Sequence, residues 1–122
     1  MLTARQRIGR RAEEIAAEFL HAKGLAVLAR NYRRRVGELD VIARQGDVLV
    51  IAEVRTRARD AYGGAAASVN VRKQRRLIRA AAQLIQQRTD LARLRMRFDV
   101  IVVSDPDGEK PRVEWIQHAF LV

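Results

Sequence analysis

The stretch "VGELDVIARQGDVLVIAEVRTR", residues 36–57, carries two acids inside apolar runs, Asp40 and Glu53, with Arg55 two residues after the second. A carboxylate enters such a run at a cost unless a partner compensates it. Side chains alternate across a strand. The pattern therefore sets Glu38, Asp40 and Ile42 on one face of a strand, with Leu39 and Val41 on the other. In the next strand Leu49, Ile51, Glu53, Arg55 and Arg57 oppose Val48, Val50, Ala52 and Val54. Paired as a hairpin, the two strands let Asp40 and Glu53 converge. Two converging carboxylates repel and raise each other's pKa unless a cation lies between them. An oxygen-seeking divalent ion such as Mg²⁺ resolves that conflict. An ion-pair network with Arg55, Arg57 or an arginine of "RNYRRR" resolves it too, and a solvated sheet face removes it. Spacing alone leaves all three readings open.

Two other places offer chemistry. Glu13 and Glu14 follow Gly9 and two arginines on a helical pattern. Glu13 lies one turn from Gly9 and Ala17, small residues that would let a sheet approach closely, whereas Glu14 and Glu18 have the spacing of surface charges. Lys73 opens a second helical pattern inside "NVRKQRR". Cations oppose the helix dipole at that end, which gives phosphate binding as one motive and a solvated charge run as another.

The elements that must carry these residues follow from periodicity. Ile8, Ala12, Ile15, Phe19 and Leu20 recur at helical spacing from Thr3 to Lys23, and Gly24 supplies the stop. "LAVLA", residues 25–29, predicts a short strand, with "RNYRRR" as a basic loop or an extension of it. "ELDVIA" and "DVLVIAEV" predict a hairpin turning at Gln45, Gly46 and Asp47. Residues 57–68, with Gly63-Gly64, have no periodicity and predict a mobile loop. A helix is expected from about Asn70 to Arg88, striped by Leu77, Ile78, Ala81, Leu84 and Ile85. "MRFDVIVVS" then forms a strand, the "DPDG" turn spans Asp105 to Gly108, and "RVEWIQHAFLV" closes the chain as a strand with an apolar tail. The order αβββαββ predicts an α/β or α+β fold: a mixed sheet flanked by helices, as one domain over residues 1–122.

Composition narrows the function. There is no cysteine, which excludes disulfides and thiolate metal sites, and with only His21 and His118 a histidine zinc site is not expected. Hydrophobic residues make up 48% of the chain, enough for a folded core. The net charge of +10 favours polyanions, nucleic acid first and an anionic membrane surface second. Of 24 cationic residues 21 are arginine, a bias that suits phosphate and that a GC-rich genome also produces. No apolar run has the length of a membrane span or the form of a signal peptide, so a soluble cytoplasmic protein is expected.

Taken in order, "GRRAEEIAAEFLHAKGLAVLARNYR", "GELDVIA", "VIAEVRTR", "YGGAAASVNVRKQRRLIRAAAQLI", "RFDVIVV" and "HAF" resemble the YraN-like family of bacterial proteins from Gly9 to Phe120. The resemblance implies a restriction-endonuclease-like fold similar to that of archaeal Holliday-junction resolvases. Its motif is an acid on one strand and Asp/Glu-x-Lys on the next. By that resemblance Asp40 is the first metal-binding acid and Glu53 the second. Glu13 is the helix glutamate that completes the shell, Glu38 belongs to the "GE" before the aspartate, and Lys73 is the lysine opening the second long helix. The implied activity is Mg²⁺- or Mn²⁺-dependent hydrolysis of phosphodiester bonds in DNA, branched or single-stranded.

Two departures stand out. Ala12 replaces a usual glycine before Glu13, and Arg55 replaces the motif lysine, "EVRTR" standing for "EVKTR". An arginine side chain cannot act as a base, but its fork can neutralise phosphate with two hydrogen bonds. Lys73 is the candidate to supply the missing lysine. The expected alternatives to a nuclease are a nucleic-acid-binding module without cleavage and, third, a protein-interaction adaptor. Arg33, Arg34, Arg35, Arg57, Arg72, Arg75 and Arg76, with Arg55 and Lys73, are the expected contacts to nucleic acid. A homodimer would suit a two-stranded substrate.

Overall fold

The computed structural model describes residues 1–57 and 68–120. Its elements follow the expected order: α1 (Ala4–Ala22), β1 (Ala26–Arg34), β2 (Gly37–Gln45), β3 (Val48–Arg57), α2 (Val71–Gln87), β4 (Arg95–Ser104) and β5 (Arg112–Phe120), with a short 3₁₀ turn (Thr89–Leu91) before β4. The expected Gly63-Gly64 loop, and Leu121 and Val122 of the apolar tail, lie outside the described residues.

Local chemistry sets the ends of both helices. Thr3 caps α1 in a reciprocal capping box with Gln6, and Gly24 leaves it at φ +91°, where a side chain would be strained. Asn70 caps α2 by accepting the Lys73 N–H at 2.8 Å. The β2–β3 hairpin turns at Gly46 and Asp47, with Gly46 at φ +60° supplying the positive dihedral of a two-residue turn. "RNYRRR" extends β1 rather than forming a loop.

The five strands lie in the order β1-β2-β3-β4-β5, all antiparallel neighbours except the parallel pair β3–β4, which α2 connects. Each helix covers one face. Ala12, Ala16 and Leu20 of α1 pack with Val41, Ala43, Val50, Ala52, Ile101 and Val103. Leu77, Ala80, Ala81 and Leu84 of α2 pack with Leu39, Ile42, Leu49, Ile51, Phe98 and Val100. The turn into β2 seats against α2 so closely that a Cβ on Gly37 would stand 2.8 Å from the Arg76 carbonyl oxygen. Glycine is required there by space, not by dihedral.

β3 alternates as expected, but β2 does not. Leu39 faces α2 and Val41 faces α1, so the alternation breaks at Asp40. Across from it on β1, Ala29 and Tyr32 both pack towards α2, and Asn31 between them takes φ +54°. A left-handed residue in one strand re-aims its side chains, and asparagine tolerates that conformation. The pairing of β2 with β3 runs from Gln45↔Val48 to Val41↔Ala52, and one step further the Asp40 carboxylate, through Oδ2, accepts the Val54 N–H at 2.9 Å. A side chain thus occupies the place of a ladder bond, and the strands part at Asp40 and Glu53.

Candidate metal and phosphate site

The parting of β2 and β3 opens a cleft of about 450 Å³ between the first half of α1, the ends of the two strands and the start of α2. Glu13, Glu38, Asp40, Glu53, Arg55 and Lys73 line it, together with Arg5 and Thr56. Four acids and three bases from four elements thus meet in one depression.

Asp40 lies at its centre, within hydrogen-bonding reach of both Glu53 and Glu13. Burial, above all, and then the adjoining Glu53 push its pKa up to about 9, with Glu13 adding a smaller push. Burial likewise raises Glu13, helped by the charge of Glu38. Glu13, Glu38 and Asp40 can each present an oxygen with all three atoms inside 4.8 Å of one another. The Asn31 side-chain amide, oriented to donate, reaches Glu13 Oε1 at 3.0 Å, so the irregular residue of β1 also holds the acid of α1. Gly9 is not the close-packing position expected from sequence: a Cβ there would meet nothing within 4 Å, and the cleft rather than the sheet occupies that flank of α1.

Glu53 is 5% exposed and meets the cations of the site. Lys73 Nζ lies 3.2 Å from Glu53 Oε2, and an Arg55 terminal nitrogen lies 3.8 Å from the same oxygen. Lysine thus reaches the second acid from α2, sixteen positions past Arg57 at the end of β3, where strand spacing would not seek it. The Arg55 Nε is buried without a hydrogen-bond partner among the described residues. A buried donor left unpaired is costly, and here it belongs to a side chain lining the cleft.

The other expected cations are more dispersed. Arg33 pairs with Glu38 at 3.3 Å on the rim. Arg34 stacks on the Tyr32 ring and donates to Gln87 at the far end of α2, away from the cleft. Arg35 is exposed in the turn between β1 and β2. Arg57 lies within 4.0 Å of Glu114 and lines an adjoining groove with Arg5, Ile8 and Thr56. Arg72, Arg75 and Arg76 line an exposed groove on α2 with Arg79, which the sequence reading did not single out. Glu14 forms an exposed pair with Arg11, as its spacing suggested. Glu38 and Asn31 were not read as site residues from sequence. The "GE" beside Asp40 signalled the first, and nothing local signalled the second.

An α+β sheet that opens beside a group of carboxylates and cations describes a class of site. The family can be stated from comparison. Residues 12–103 match the uncharacterised protein family UPF0102, and the chain belongs to it, in agreement with the YraN-like motifs. A UPF0102 protein of Pseudomonas aeruginosa is 46% identical over 113 residues, covering 92% of this chain and 90% of that protein. Another, from Alkalilimnicola ehrlichii, is 47% identical over 112 residues, covering 92% and 85%. A third, from Pseudomonas savastanoi pv. phaseolicola, is 42% identical over 118 residues, covering 97% and 96%. Among the described residues no helix is long and apolar enough to cross a membrane.

Proposed function

We propose that this protein is a nuclease-like, metal-dependent phosphodiesterase acting on nucleic acid, DNA first, with a restriction-endonuclease-like arrangement of its site. The observation that carries the reading is the meeting of Glu13, Glu38, Asp40 and Glu53 with Arg55 and Lys73 in one cleft. The donor set fits Mg²⁺ or Mn²⁺: it is all oxygen, it is anionic, and it contains an acid whose pKa is raised by burial and by the adjoining Glu53. Asp40, Glu53 and Glu13 would hold the ion, with Glu38 beside them. Bound there, it would supply an activated water and charge stabilisation at phosphorus.

The chain's own groups do the rest. Lys73 balances Glu53 and presents an ammonium to a phosphate entering from the α2 side. Arg55 lines the cleft with a partly exposed guanidinium, suited to a non-bridging phosphate oxygen. Asn31 positions Glu13. Because arginine cannot serve as a base, Arg55 binds charge and does not take a proton.

A second reading, a binding module without cleavage, is favoured by the same arginine. Incubation with junction, single-stranded and duplex DNA plus Mg²⁺ or Mn²⁺ separates them. The expected result is cleavage that disappears in Asp40→Asn and rises in Arg55→Lys. Salt-sensitive binding without cleavage would select the module. No salt-sensitive binding to any of these nucleic acids would end both readings.

A further inference from the structure

Arg72, Arg75, Arg76 and Arg79 stand at i, i+3, i+4 and i+7 on α2, the spacing of a single helical face. All four are exposed, and among the described residues none makes an ion pair or a side-chain hydrogen bond. The helix from Val71 to Gln87 contains no acid at all. Like charges at these spacings destabilise a helix, and cations in its first turn oppose its dipole. Nothing within α2 compensates either cost. The apolar face of the same helix, Leu77, Ala80, Ala81 and Leu84, is already buried on the sheet, so α2 cannot lie in a bilayer by that face.

The stripe also has a direction. It starts beside Lys73, whose ammonium pairs with Glu53 in the cleft, and follows α2 towards the β1 edge of the sheet, where Gln87 meets Tyr32 and Arg34. At 1.5 Å per residue, Arg72 to Arg79 covers roughly 10 Å, the axial rise of about three phosphates of one strand. By contrast Arg33 and Arg34 of β1 are engaged internally. We infer that the exposed face of α2 is a phosphate track: one strand of a nucleic acid lies along Arg72, Arg75, Arg76 and Arg79 and enters the carboxylate cleft past Lys73. The inference deepens the proposed function by giving its substrate a route, and it rests on the nucleic-acid part of that reading alone.

The test compares two charge-matched triple variants by fluorescence anisotropy on labelled single-stranded and duplex DNA, in EDTA, across a salt series. The first is Arg72→Gln/Arg75→Gln/Arg79→Gln, which spares Arg76 because its backbone abuts Gly37. The second is Arg88→Gln/Arg93→Gln/Arg95→Gln, exposed arginines near the exit of α2 and the start of β4. The stripe variant is expected to bind about tenfold more weakly or worse, with the slope of log affinity against log salt reduced by about 2 to 3. The second variant should keep the wild-type slope to within about 1. Helical circular dichroism and the melting temperature of the stripe variant should hold or rise, since like-charge repulsion is relieved. Equal losses in both variants, or none in either, would overturn the track. So would wild-type binding to phosphatidylserine vesicles but not to nucleic acid. Binding in EDTA that depends on the stripe, with no cleavage in Mg²⁺, defeats the hydrolase and keeps the track; cleavage with stripe-independent binding does the reverse.

Discussion

The β4–β5 and β2–β3 regions each draw an aspartate carboxylate in among their strands, and they treat it differently. Asp99 on β4 has a side chain with no exposure, and four donors meet it. The Arg97 Nε and a terminal nitrogen bind its two oxygens at 2.9 and 3.0 Å, the Trp115 indole donates at 2.8 Å and the His118 N–H at 3.1 Å. This cluster sits where the β4–β5 register shifts, between Phe98 and Val100, and His118 takes φ +52°. Its saturated acid locks an irregular strand pair. Asp40 instead accepts one backbone N–H, from Val54, and otherwise faces other acids. Burial itself does not separate a structural acid from a chemical one. The number of donors supplied to it does, because a carboxylate short of donors keeps its affinity for a proton or a metal ion.

The largest expected effect tests the saturated site. Asp99→Asn leaves the Arg97 guanidinium buried without its counter-charge, and should lower unfolding free energy by about 3 to 5 kcal/mol in urea titrations. A loss under ~1 kcal/mol would mean that the cluster is not a lock, and the contrast would dissolve.

At the unsaturated site pH should act in the opposite sense to the usual acid denaturation. Asp40 has a folded-state pKa of about 9, raised from its ordinary 3.8, so the folded protein holds a proton that the unfolded chain releases. That contribution to stability is fully present below the unfolded pKa and is lost as pH rises through the folded one. Metal-free wild type should therefore lose stability steadily as pH rises across that window. Asp40→Asn should flatten the profile, measured as chemical unfolding at pH 5 and pH 8 in EDTA. Identical profiles in the two proteins would remove the claim that burial among other acids keeps a proton on Asp40.

Mg²⁺ or Mn²⁺ should replace that proton. At a hundredfold excess over the dissociation constant, a single site raises stability by about 2.7 kcal/mol, with protons released on binding. Thermal shifts should show this in wild type and not in Asp40→Asn; equal shifts in both would place the ion elsewhere. The smallest effect is expected next door. Glu14→Gln loses only an exposed pair with Arg11 and should stay within about 0.5 kcal/mol of wild type, with metal binding unchanged. A larger change would blur the distinction between two adjacent glutamates.

Much of this was legible in advance, for reasons that differ by residue. Thr3, Gly24, Gly46 and Asn70 act on groups within a few positions of themselves, so the helix ends and the hairpin could be read from the chain. Asp40 and Glu53 were legible because a carboxylate in an apolar run is an anomaly that needs an explanation. Glu38 was legible only as the "GE" beside Asp40, because strand spacing cannot show that Glu13 of α1 comes within reach of both acids. The broken alternation at Asp40 was invisible, since Asn31 sits in "RNYRRR" without any mark of its dihedral. Asp99 was read as an ordinary strand residue for a like reason: its donors come from Arg97 nearby and from Trp115 and His118 on another strand.

By itself, then, the amino-acid sequence determined the order of elements, their caps and turns, the cationic face of α2 and the identity of the two anomalous acids. These follow from interactions that span one helical turn or one hairpin. Tertiary structure alone decided which acids meet, that Lys73 reaches Glu53, and that Asp99 is satisfied while Asp40 is not. Those outcomes depend on where α1, β2, β3 and α2 come to rest against one another, and hydrogen-bond donors and charges act only over the few ångströms that folding closes.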